Sequence, residues 1–236
     1  MPSHIHTEAD LDAALAALTR ADARFGALLA AAGRPPLRRR SDGFAGLVAI
    51  VVAQQLSTAS AAAIWGRIAA AFDPLDPDAI LRARPARLAK LGLSRPKIRA
   101  LKEIARAVKG GGLALAVLGE LAADEAHAAL TAVHGIGPWT ADIYLLSCLG
   151  HADAWPAGDL ALQEAAKVAF ALKTRPTAKE MLVLAEAWRP WRAVAARILW
   201  SYYRTAAEAK SAATKNSAKR KSSAKRKPSS KRKKRT

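Results

Sequence analysis

An aspartate closes the Pro/Gly loop Asp153-Ala154-Trp155-Pro156-Ala157-Gly158-Asp159-Leu160, at the point where a helix begins. There Asp159 is either a plain N-cap or a carboxylate held for catalysis, able to stabilise developing positive charge or to deprotonate a water. Upstream lies Leu130-Thr131-Ala132-Val133-His134-Gly135-Ile136-Gly137-Pro138-Trp139-Thr140-Ala141. Two glycines around one apolar residue, then a proline suited to a helix's first turn, read as a very tight helix–turn–helix. Such a turn points successive N–H groups outward beside a helix N-terminus, which makes a cradle for phosphate. An ordinary αα-hairpin fits the same residues. Trp200 lies about 200° around its helix from Ile198, off the apolar stripe, with Arg197 and Arg204 at i−3 and i+4. An aromatic on a basic face can stack on an electron-poor base or sit in a surface cation–π cluster.

The elements that must hold these residues are helical. Phe44, Leu47, Val48, Val51 and Val52 form an i, i+3, i+4, i+7, i+8 stripe, with Gln54-Gln55-Leu56 at its end. Ser57 is placed as the N-cap of a helix through Ile64, Ile68 and Phe72. A third helix opens at Ser94, carries Ile98, Leu101, Ala105 and Val108, and stops at Gly110-Gly111-Gly112. Asp124 reads as the cap of a short helix ending near Val133, and Thr177 with Glu180 has capping-box spacing. A last helix spans about 191–207. The expectation is an all-α body of about nine or ten helices.

Charge is distributed unevenly. The chain carries 38 Lys+Arg against 19 Asp+Glu, a formal +19. Residues 210–236 hold 13 basic and no acidic residues, leaving a body with 25 basic and 19 acidic ones. The Lys/Arg/Ser segment 209–236 has no apolar residue larger than Ala and reads as a disordered tail. That balance points to a polyanionic partner, nucleic acid before membrane. Cys148 is the single cysteine, which excludes a disulfide framework and a cysteine-ligated cluster or zinc finger. The five histidines, His134 among them, show no metal spacing. No apolar run approaches a membrane span, and the acidic N-terminus has no signal-peptide pattern, so a cytoplasmic, nucleoid-associated protein is expected.

Taken together, the hairpin, the Asp159 loop, Gln54-Gln55-Leu56-Ser57, Gly92-Leu93-Ser94 with Lys97, and Trp188-Arg189-Pro190-Trp191-Arg192 resemble the helix-hairpin-helix–GPD superfamily of base-excision DNA glycosylases. Within it the likeness is to the 3-methyladenine DNA glycosylase II family, and it extends from about Phe44 through Arg204. His134 stands where the family's hairpin commonly has proline. The residues before Phe44 are too few to hold the additional α/β domain of larger bacterial members.

The resemblance implies an all-α fold of two helical subdomains with a cleft between them, 43–150 forming a helical barrel and 1–42 with 151–208 the other. It implies a monomer that acts on double-stranded DNA and excises alkylated purines, of the 3-methyladenine and 7-methylguanine type. Asp159 is then the catalytic carboxylate. Trp139 occupies the position of the Schiff-base lysine in bifunctional relatives, so the expected enzyme leaves an abasic site without cutting the strand. Trp139, Trp200, Gln54 and Ile143 would line the base pocket, Ile143 replacing an aromatic found in some members. Gln55 or Leu56 would fill the gap left by a flipped base. Gly135, Gly137, Ser94 and Lys97 would meet the DNA backbone, Ser94 and Lys97 being otherwise a cap and a solvated charge. Catalysis would need no cofactor; a structural Na+ or K+ would sit on the carbonyls of Thr131, Val133 and Ile136. Two rival readings are a non-catalytic helix-hairpin-helix protein that coats DNA, and a glycosylase for oxidised or mismatched bases.

Overall fold

A computed structural model describes residues 3–225, with side chains in the last helix described as far as Glu208. Within them are twelve α-helices: α1 (Glu8–Ala21), α2 (Arg24–Ala32), α3 (Gly43–Ala53), α4 (Thr58–Ala71), α5 (Pro77–Arg82), α6 (Pro85–Lys90), α7 (Arg95–Lys109), α8 (Ala123–Thr131), α9 (Pro138–Tyr144), α10 (Leu160–Ala169), α11 (Ala178–Ala185) and α12 (Arg192–Lys225). The only β pairing among the described residues is an isolated antiparallel bridge, His4 with His151. No described helix is long and apolar enough to cross a membrane.

The expected stripes became buried faces. Leu47, Val48, Val51 and Val52 of α3 are fully buried, and α3 lies at the centre of a group made with α4, α7 and α9. Ser57 caps α4 by accepting from the Ser60 N–H, and Thr177 and Glu180 close a reciprocal capping box on α11. The second group is α1, α2 and α10 packed on α12. Trp188 anchors it, with Phe25, Phe170 and Trp155 around its ring at centroid distances of 5.1, 5.6 and 5.5 Å. Its indole N–H donates to Asp22 Oδ2 at 3.1 Å, so the buried polar edge is satisfied.

Three expectations need correction. The helix count was low because α1, α2, α5 and α6 are short and Ala- or Arg-rich, with stripes too brief to stand out. Asp124 does not cap α8, whose N-cap is Ala122; its carboxylate is drawn instead to Arg189 and Arg192. Helix α12 continues to Lys225, through much of the segment expected to be disordered. No Gly or Pro interrupts 191–227, and Ala and Lys there are strong helix formers. The remainder of that tail, 226–236, lies outside the described residues.

Candidate active site

Three helices bring their ends to one carboxylate. Asp159 is the N-cap of α10, its Oδ1 accepting from the Leu162 N–H at 2.8 Å. The same Oδ1 accepts from the indole N–H of Trp200 at 3.1 Å, and Oδ2 from that of Trp139 at 2.8 Å. Trp139 comes from the first turn of α9 and Trp200 from the middle of α12. An ionised carboxylate has about four acceptor positions. Three donors fix its orientation and leave roughly one position for a water.

The loop before Asp159 is held from behind. The Arg192 guanidinium donates to both oxygens of Asp153, at 2.8 and 2.9 Å, and to Asp124 at 3.2 Å. Arg189 pairs with the same two carboxylates. Trp155 donates to the Met181 carbonyl at 3.1 Å, and the Gln163 amide to the Ala157 carbonyl at 2.9 Å. The Trp-Arg-Pro-Trp-Arg motif thus tethers the catalytic loop to the start of α12.

The hairpin between α8 and α9 is closed by an Ile136 N–H to Val133 carbonyl bond of 3.0 Å, with Ile136 and Val133 buried. Gly135 has φ +98, and a Cβ there would stand 2.8 Å from the Ala100 backbone, so the hairpin rests directly on α7. Gly137, expected to need the same freedom, has φ −83 and is exposed as the N-cap of α9. Its lack of a side chain opens the helix end, since nothing lies within 4 Å of where a Cβ would be.

Gln54 is half-buried, its amide donating to Thr140 Oγ1 of α9 at 2.7 Å. Gln55 is exposed and takes a left-handed φ of +56, a conformation costly for a residue with a Cβ. Leu56 beside it is 38% exposed. Leu56 and Trp139 line one groove of about 640 Å³. Ile143 and Trp200 share a second cleft of about 220 Å³.

Two assignments change. Lys97 is neither a solvated charge nor available to phosphate: its ammonium donates to the carbonyls of Val52 and Gln54 at 2.7 and 2.8 Å. It closes the C-terminus of α3, and burial lowers its pKa. Ser94 is the exposed N-cap residue of α7 and its hydroxyl makes no capping bond. Arg197 does not share an open basic face with Trp200. It is buried and donates to the carbonyls of Leu37 and Leu146. Trp200 itself is half-buried and turned inward to Asp159.

Three groups went unnoticed in the sequence. Thr140 holds Gln54. Arg40 borders both the Leu56–Trp139 groove and the Trp200 cleft; its place in Arg38-Arg39-Arg40, outside any apolar pattern, was the available signal. Asp142, one turn beyond Trp139, is buried 3.6 Å from His127 Nε2. Burial pushes its carboxyl up to about 8, against the pull of Arg192. No group of three or more His, Cys, Asp or Glu among the described residues is arranged to hold a metal.

The architecture is therefore that of a helix-hairpin-helix protein with a single carboxylate poised at the hairpin. The sequence profile described as HhH-GPD superfamily base excision DNA repair protein matches residues 48–192, and the chain belongs to that superfamily. It is 31% identical over 121 residues to the DNA-3-methyladenine glycosylase of Bacillus subtilis, covering 51% of this chain and 40% of that protein. The DNA-3-methyladenine glycosidase structure from Bacillus halodurans superposes with a TM-score of 0.71 at 31% identity, covering 81% of this chain and 89% of that one. The 3-methyladenine DNA glycosylase Mag1 of Schizosaccharomyces pombe, solved with abasic DNA, gives 0.70 at 28% identity, with 79% and 94% covered. This chain matches 40% of the length of the Bacillus subtilis relative and of the Mycobacterium tuberculosis proteins named as probable bifunctional transcriptional activator/DNA repair enzyme AlkA.

Proposed function

We propose that the protein is a monofunctional DNA glycosylase that flips damaged purines, alkylated ones in the first place, out of double-stranded DNA and hydrolyses the N-glycosidic bond. The observation that carries this reading is the Asp159 carboxylate, aimed by the indoles of Trp139 and Trp200. As the bond breaks, positive charge builds on the deoxyribose, and the carboxylate stabilises that oxocarbenium-like state. Its remaining acceptor position orients water for attack on C1′. An alkylated purine is already cationic and leaves as a neutral base, so no second acid is required.

DNA would lie across the mouths of the two clefts, with the hairpin's N–H groups at Gly135 and Gly137 on the backbone. Ser94 remains available there; Lys97 drops out. Trp200, Trp139, Ile143 and Gln54 would surround the extruded base, and Gln55 or Leu56 would enter the stack. The strained turn at Gln55 and the exposure of Leu56 favour that role. Residues 43–150 would form one subdomain and the terminal segments the other, in a monomer.

The hairpin also fits a structural Na+ or K+. The carbonyls of Thr131 and Ile136 accept no backbone hydrogen bond from a described residue outside a helix, and that of Val133 accepts one. These three oxygens at the end of α8 would hold the cation, which would neutralise charge between hairpin and phosphate.

A base-release assay on duplexes bearing 7-methylguanine or 3-methyladenine tests the reading. Wild type should free the base and leave an alkali-labile abasic site. Asp159→Asn keeps the capping oxygen and should lose at least about 100-fold. With Trp139 where a nucleophilic lysine would stand, borohydride should trap no protein–DNA adduct. Tight DNA binding without base release would select the coating-protein reading instead.

A further inference from the structure

The cleft beside Trp200 has an unusual charge. Besides Ile143 and Trp200 its walls include Arg38, Arg40, Arg197 and Arg204, and no carboxylate. Arg38, Arg40 and Arg204 are exposed and pair with no acidic side chain among the described residues. Arg197 is buried with carbonyl partners only, and its Nε has none. Its pKa falls to about 10, so it remains cationic at neutral pH. The lone compensating charge is Asp159, on the far side of the Trp200 indole N–H.

Four guanidinium groups around a base pocket act oppositely on two kinds of leaving group. A base that is already a cation is repelled on entry and departs neutral, so the arginines offer its transition state nothing. A neutral purine departs with the electron pair of the C1′–N9 bond and becomes an anion. Guanidinium groups aimed at that developing charge stabilise it in a water-poor site.

We infer that Arg38, Arg40 and Arg204 form a leaving-group site that extends the substrate range to neutral purines with acceptor-rich edges, of which hypoxanthine is the simplest. The inference rests on the glycosylase reading. The balance is that of hydrolysis: the C1′–N9 bond breaks, its electrons pass to the purine, and water oxygen bonds to C1′. One water proton passes through the Asp159 carboxylate to solvent, and the purine anion takes one from solvent. The arginines supply charge and hydrogen bonds, and keep their protons throughout.

The test is single-turnover excision by the full chain at saturating enzyme, from duplexes identical except for hypoxanthine or 7-methylguanine. Saturation removes effects on DNA affinity. Arg38→Gln, Arg40→Gln and Arg204→Gln should each shift the hypoxanthine-to-7-methylguanine rate ratio toward 7-methylguanine, and the triple variant at least tenfold. The corresponding lysine variants, which keep the charge, should recover much of the ratio. Equal losses on both substrates would make the arginines general DNA contacts and overturn the inference, leaving the glycosylase reading intact. No release of either base by wild type would defeat that reading first.

Discussion

The indole N–H of Trp139 donates to Oδ2 of Asp159 at 2.8 Å, across 20 residues of sequence. The hairpin that would grip DNA is therefore wired directly to the carboxylate that would face the sugar. Trp139→Phe keeps the aromatic face and removes the donor, freeing Oδ2 to rotate. Single-turnover base release should fall about tenfold, in line with one hydrogen bond to a charged group. In an Asp159→Asn background the same change should cost little more, because the two residues act as a unit. Fully additive losses would give Trp139 a separate task.

Lys97 offers a contrast, since its ammonium caps α3 rather than facing solvent. Lys97→Met leaves two carbonyls without their donor and should lower unfolding stability by about 1–3 kcal/mol. The salt dependence of DNA binding should keep its slope. Urea denaturation and a salt titration read the two effects separately; a shallower slope at unchanged stability would return Lys97 to the phosphate contacts.

Why Asp159 was readable while its partners were less so follows from sequence distance. Loop, cap and hairpin are local patterns, and each took the expected shape. The Trp200 bond to Asp159 spans 41 residues, and periodicity reports only which face of a helix a residue shares. That is how Arg197 was placed on an open basic face, when Leu37 and Leu146 supply carbonyls that let it be buried. Lys97 failed in the same way, through acceptors 45 and 43 residues upstream. The length of α12 was missed for another reason: the absence of large apolar residues argues against a packed core, but Ala and Lys still favour helix.

The two hairpin glycines should respond differently to alanine. At Gly135 the added Cβ meets the Ala100 backbone at 2.8 Å with φ at +98, so Gly135→Ala should destabilise by at least about 1–2 kcal/mol. Gly137 has ordinary φ and open space around it. Gly137→Ala should fold with a near-native melting temperature and bind duplex DNA more weakly, since a methyl then stands where phosphate would approach. Thermal melts beside a binding titration check the pair.

The basic segment supplies a lesion-blind contribution. Truncation after Ala209 removes 13 cations and no acid, while Asp159, Trp139 and Trp200 stay. Binding to undamaged DNA should weaken and its salt dependence flatten, because fewer counterions are released. Single-turnover excision at saturating enzyme should hardly change. A lost saturating rate with an intact salt slope would place the segment in the active site.

Asp142 makes stability depend on pH in a known direction. Its carboxyl titrates near 8 in the folded chain, because burial disfavours the charged form, and in the usual carboxylate range when unfolded. Between those values the folded state binds the extra proton. Its contribution is therefore complete below about pH 4 and is lost as pH rises through about 8. The groups around it are His127 and Asp124 from α8, Arg192 from α12 and Asp153 from the catalytic loop. His127 works the other way, since burial lowers its pKa and the unfolded chain then binds the proton more readily. Asp142→Asn isolates the carboxyl: relative to wild type it should gain stability on going from pH 5 to pH 8, by roughly 1 kcal/mol or more. Urea midpoints at the two pH values read this directly. Parallel pH dependence in both proteins would mean that Asp142 is ionised in the fold, with Arg192 outweighing its burial.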